Sequence, residues 1–196
     1  EDGKVIVDKT TTAVVAINGV GFTSMGAAIK AVGDGGTITV LQNITDAVGI
    51  AVDSGKNFTI DFDEHEYILV GPGAGSAGTE TNGFQLLKNS TIVFKDGTIK
   101  IADNASGIKR IIQNYANLTL ENMDIYAMNQ KPDENYALSF NNGTITFKGN
   151  TNIHTSDPEK TIAFDVCYWT PYYPDGVAVI FADDFDGKID GIILYD

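Results

Sequence analysis

The chain has 196 residues, 43% of them hydrophobic, and a net charge of −13 from 26 acidic and 13 basic side chains. Nucleic acid is excluded as a partner, because such affinity rests on Lys and Arg neutralising phosphates, and Arg110 is the sole arginine. No window nears the roughly 20 apolar residues of a membrane span, so membrane insertion is excluded and a turn-rich globular chain is expected.

In chain order, "KVIVDKTTTAVVAI" (4–17) reads as one or two strands. "GFTSMGAAIKAVGDGGTITV" (21–40) follows, with Ser24 placed to cap a short helix whose Met25, Ala28, Ile29 and Val32 keep helical spacing. Gly33, Gly35 and Gly36 end it. Such a helix would cover strand edges that otherwise recruit other chains.

From residue 36 onward the chain repeats itself. Apolar pairs Ile38/Val40, Ile60/Phe62, Ile92/Phe94, Leu118/Leu120 and Ile145/Phe147 align as one inward column. Another apolar strand precedes each later member ("GIAV", "FQLL", "RIIQ", "ALSF") and recurs as "AFDV". A third ("YILV", "TIKI", "DIYA", "TNIH") follows most of them. Three short strands in a repeat of about 26 residues predict an all-β fold, a single-stranded parallel β-helix. Asn57, Asn89 and Asn142 stand three residues before their inward isoleucines, where Asn tolerates the left-handed backbone of a sharp corner. Tyr115 interrupts that series. On the outer face, Asp63, Lys95, Glu121 and Lys148 form a predicted column of alternating charge, a surface ladder rather than a set of catalysts. The six N-x-S/T sequons (Asn43, Asn57, Asn89, Asn104, Asn117, Asn142) follow from corner asparagines preceding strand threonines.

Chemistry-bearing clusters are few. "DFDEHE" (61–66) is the densest carboxylate group, with Asp61 and Asp63 expected on one outer strand face. His65 and His154 read as independent turn and surface residues. "GPGAGSAGTETNG" (71–83) lacks the helix N-terminus that phosphate loops need and reads as a projecting corner insertion. Asp183, Asp184, Asp186 and Asp190 crowd one short span without EF-hand spacing. Cys167 reads as a core thiol. "CYWTPYYPDG" (167–176) brings Tyr168, Trp169, Tyr172 and Tyr173 together, either as a plug for the open end or as a platform for sugar stacking.

The capping helix, "GGTITVLQNIT", "GKNFTIDF", "TNGFQLLKNSTIVFKDGTI" and "ALSFNNGTITFKGNTNI" resemble right-handed parallel β-helix domains of the pectin-lyase-like class. The resemblance covers roughly residues 21–196 and is to the non-catalytic domains of bacterial surface proteins and some phage virion proteins. It implies N-terminal strands and a capping helix over 1–35, β-helix coils over 36–166 and an aromatic/β cap over 167–196. Family members that cleave pectic polymers use a basic residue with calcium-binding aspartates, or an aspartate cluster. Here Arg110 has no aspartate at matching positions of adjacent repeats. The expected function is therefore a non-catalytic extracellular scaffold or adhesion module, on a cell or virion surface, with a glycan or surface protein as partner. No catalytic set, cofactor or metal is assigned. A phage fibre or decoration protein and a polysaccharide lyase or glycoside hydrolase are the alternatives.

Overall fold

The structure is a computed structural model and describes residues 12–127, 138–168 and 177–195. The chain opens with β1 (Val15–Ile17), β2 (Val20–Phe22) and α1 (Met25–Ala31). Next come β3 (Gly36–Val40), β4 (Ile44–Ala47), β5 (Ile50–Val52), β6 (Asn57–Asp61), β7 (Glu66–Leu69) and β8 (Asn82–Leu86). The middle is β9 (Thr91–Ile101), β10 (Arg110–Asn114), β11 (Asn117–Ala127) and β12 (Leu138–Ser139). It closes with β13 (Thr144–Lys148), β14 (Asn152–Thr155), β15 (Ile162–Val166), β16 (Ala178–Phe181) and β17 (Ile192–Tyr195).

The fold is all-β, with one short helix among the described residues and two largely parallel sheets. An 11-stranded sheet runs β16-β13-β11-β9-β6-β3-β1-β2, with β4, β7 and β14 attached beside it. A six-stranded sheet runs β17-β15-β12-β10-β8-β5. Among the described strands, only the pairings β1–β2 and β1–β3 are antiparallel. The chain visits three strand tracks in turn. β3, β4 and β5 each pair in parallel with the strand one repeat later: β6, β7 and β8. β9 and β11 serve two tracks each, bending where Asp96 (φ 56°) and Asn122 (φ 52°) turn left-handed. Asn122 holds that bend by donating from Nδ2 to Asp96 Oδ1 at 3.0 Å, while its Oδ1 accepts from the Asn150 N–H at 3.1 Å. Beside it, a Cβ on Gly97 would stand 2.3 Å from Phe62 Cβ, so the strand can bend there only without a side chain.

Strand alternation sends Phe58/Ile60, Ile92/Phe94, Leu118/Leu120 and Ile145/Phe147 into one core, where all are buried. Aromatic rings knit neighbouring repeats: Phe84 lies 5.4 Å from Tyr67 and 5.0 Å from Phe94, and Phe140 lies 5.0 Å from Phe164. Burial, with a smaller contribution from Asp46, holds the Tyr67 phenol well above its ordinary pKa. Ser24 caps α1 as predicted, its Oγ accepting the Ala27 N–H at 3.2 Å, and Met25, Ala28 and Ile29 are its buried face.

Two predicted alignments are shifted by two residues. Ile60 pairs with Phe94, not Ile92, and Asp61, not Asp63, stands opposite Lys95. A two-residue slip keeps every side chain on its own face, so alternation alone could not detect it. The alternating-charge column is therefore Asp61–Lys95–Glu121–Lys148, with Lys95 Nζ 2.7 Å from Asp61 Oδ2 and Lys148 Nζ 3.4 Å from Glu121 Oε2. The same slip puts Gly55 (φ 77°), not Asn57, at the left-handed corner shared with Asn89 (φ 63°) and Asn142 (φ 60°). Segment 71–83 does not project freely. Ala74 and Asn82 form an antiparallel bridge, and the Gly49 N–H donates to Pro72 O at 2.7 Å.

Beyond β15, β16 and β17 extend the two sheets in parallel rather than crossing them. Phe181 (49% exposed) continues the column of buried Phe147, and Tyr195 (74%) that of buried Val166. The core columns thus reach solvent at this end among the described residues.

Candidate functional site

The aromatic candidates are only partly within view. Tyr168 is exposed just after β15, whereas Trp169, Tyr172 and Tyr173 lie outside the described residues. Cys167 is half-buried rather than a core residue. Asp61 and Asp63 do not share a strand face, because Asp63 sits left-handed in the turn (φ 47°) with its N–H donating to Asp61 Oδ1 at 3.0 Å. Asp186 Oδ1 accepts from Asn150 Nδ2 at 3.4 Å and Asp190 pairs with Lys188 at 2.7 Å, so these two carboxylates engage separate partners. Among the described residues, no three His, Cys, Asp or Glu side chains converge on a metal position.

His154 is not isolated. It lies on β14 beside Tyr126 of β11, rings stacked at 4.2 Å and 15°, with Nε2 2.9 Å from Asp124 Oδ1. Lys100 Nζ sits 5.6 Å from the Tyr126 ring centre and pairs with Glu66. Next to this row is a cavity of about 350 Å³ whose walls include Glu64, Asp96, Thr98, Asn122, Asp124 and Asn150. Two of its carboxylates are engaged by protein donors: Asp96 by Lys95 and Asn122, Asp124 by His154 and Asn152. Hydrogen bonds from Lys95 and then Asn122 hold Asp96 below the usual carboxylate range.

The six-stranded sheet carries a different arrangement. Strand register aligns Gln85, Gln113, Ser139 and Asp165 as one column on β8, β10, β12 and β15. Each alternates with core residues such as Phe84, Ile112, Leu138 and Phe164 and so points to the opposite face. Yet Gln85, Ser139 and Asp165 are buried. Gln113 Oε1 accepts from both Asn82 Nδ2 and Gln85 Nε2, each at 3.1 Å. Asn141 Nδ2 donates to Ser139 Oγ at 2.6 Å. Asp165 is bonded to Ser139 and Asn141 and feels the charge of Arg110. Burial nonetheless dominates and raises its carboxyl above the ordinary range; the Ser139 bond and Arg110 oppose this only in part. Asp165 Oδ1 and Asn141 Oδ1 are buried without a hydrogen-bond donor among the described residues.

The sole arginine has no aspartate at matching positions of the adjacent repeats; the charge it exerts on Asp165 reaches across two strands, from β10 to β15. The sequence signal for this column was present in "FQLL", "RIIQ", "ALSF" and "AFDV", which each place a polar residue at the register position shared by Gln85, Gln113, Ser139 and Asp165. Both acceptors without a donor among the described residues are shielded from solvent, so the column is an internal polar strip of the fold.

No helix among the described residues is long and apolar enough to cross a membrane. No family model, curated protein or solved structure matches the chain.

Proposed function

We propose that this chain is a right-handed parallel β-helix module, capped at its N-terminal end by α1, that acts as a non-catalytic scaffold or adhesion unit on a cell or virion surface. The observation that carries the reading is the three-track parallel register, in which β3 pairs with β6, β4 with β7 and β5 with β8 before the cycle repeats. Right-handedness follows from the strong preference of parallel crossovers for that hand. Stacked repeats turn single side chains into continuous outer columns, as in Asp61–Lys95 and Glu121–Lys148, and extended columns suit a long polymer or a broad partner surface. The partner is a glycan or a surface protein.

A polysaccharide lyase or glycoside hydrolase is the second reading, favoured by the buried Asp165 carboxyl, whose pKa is raised and which feels the charge of Arg110. One assay separates the two. The purified chain is incubated with a panel of polysaccharides and followed for reducing ends and unsaturated products. The scaffold reading expects retention on at least one immobilised polysaccharide or surface extract with no product. Product formation that disappears in Asp165→Asn would replace it with the enzyme reading.

A further inference from the structure

We infer that the free edge of β5, with the cavity that separates it from α1, takes an extended acidic segment of a partner protein as an added strand. This inference rests on the scaffold reading and names one class of partner for it. At the N-terminal end of the stack the two sheets finish differently. β1 pairs along the outer edge of β3, and α1 packs against β1 and β2. β5 is the last strand of the six-stranded sheet and pairs only with β8 among the described strands. Val52 O accepts the Leu87 N–H at 3.1 Å, on the β8 side, so alternation along the strand turns the N–H and C=O of Ala51 toward the open edge. Such an edge is a template for another strand. Between it and α1 lies a cavity of about 420 Å³, reached from solvent past the exposed Val48 and Ala51.

The walls narrow the chemistry. Ile29, Val48 and Ile50 supply an apolar side, and Lys30, Lys56 and Asp53 a charged one. Lys95, Lys100, Lys148, Lys160 and Lys188 each pair with a carboxylate, whereas Lys30 and Lys56 have no carboxylate partner among the described residues. Two lysines against one aspartate give the cavity a charge of +1 in a chain of net charge −13. An added strand would bond to the Ala51 backbone, lay alternate apolar side chains on Ile29 and Ile50, and bring an Asp or Glu to the lysines. A glycan lacks the in-line backbone donor and acceptor that this edge matches, and a basic segment would meet the two lysines.

The test selects a displayed library of random ten-residue peptides against the full chain, then titrates the selected peptides, synthesised, into variants. Expected are peptides with Asp or Glu among alternating β-branched or aromatic residues. Their binding should weaken about three- to fivefold in Lys30→Gln or Lys56→Gln, as for a partly exposed ion pair. It should weaken about tenfold in Ala51→Pro, which removes the edge N–H. Lys148→Gln, four strands along the other sheet from β3, should bind as the unaltered chain does. Urea midpoints establish that the variants fold; should Ala51→Pro not fold, slowed hydrogen exchange of the Ala51 amide on peptide binding takes its place. Peptides indifferent to all three changes, or no selected peptide at all, overturn the inference and leave the scaffold reading to its glycan assay. Selected peptides rich in Lys overturn the partner's charge. Selection that succeeds only on a chain shortened to begin at Thr12 gives the edge to the protein's own residues 1–11, and self-association abolished by Ala51→Pro gives it to a second copy; either overturns the partner.

Discussion

Asp165 is a residue whose environment works against its own charge. Burial raises its pKa more than Ser139 and Arg110 lower it, so the folded state holds the proton more tightly than the unfolded chain does. The stability contributed by that proton is fully present below the unfolded aspartate value, about 3.9, and is lost as pH rises through the raised folded value. Asp165→Asn removes this linkage. Urea midpoints measured between pH 3.5 and 7 should show the variant gaining on the unaltered chain as pH rises; a constant difference would refute the assignment. Asp96 has the opposite sign: its lowered pKa gives stability that is present above the unfolded value and lost on acidification. The sequence made the outer charges legible as a column but not their partners. Asp63 and Asp61 are equivalent to any period-two pattern, and only the turn at Asp63 and Glu64, both left-handed, decides which of them faces Lys95.

Among the elements, α1 was legible down to its cap, because Ser24 and the spacing of Met25, Ala28 and Ile29 are local signals. The strands of the repeat were legible too, since alternation is local. The burial of Gln85, Ser139 and Asp165 was not, because it depends on what covers the far side of their sheet. Position along the stack also sets how much a given side chain stabilises. Phe147 on β13 is fully buried, contacting Phe140, Phe164 and Phe181 with ring separations of 6.1, 5.8 and 5.3 Å. Phe181, next in the same column on β16, is half open to solvent. Phe147→Ala should therefore cost about 3–5 kcal/mol in urea unfolding, and Phe181→Ala well under half of that. Equal losses would mean that the end of the core is covered after all.

For the whole molecule, net charge outweighs the visible ion pairs. Exposed pairs contribute about 0–1 kcal/mol each, whereas a net charge of −13 on 196 residues repels itself throughout the fold. Salt screens both, and the larger effect decides the sign. The melting temperature should rise between 0.05 and 0.5 M sodium chloride; a fall would show that the Asp61–Lys95 and Glu121–Lys148 column is worth more than pairs of its exposure normally are.

The parallel register also has a mechanical side. Hydrogen bonds link each repeat to the next, so a pull between the two ends of the stack loads those links in series. The links are unequal. The repeat containing β14 meets its predecessor through five residue pairs of β11 with β13, four of β11 with β14 and two of β12 with β15. The last segment is joined by four pairs at β13–β16 and four at β15–β17, and its middle track narrows to the single bridge Ile153–Ile189. Under tension the chain would peel from β17 inward, lengthening at its C-terminal end while the aromatic core around Phe84 and Phe94 still bears load.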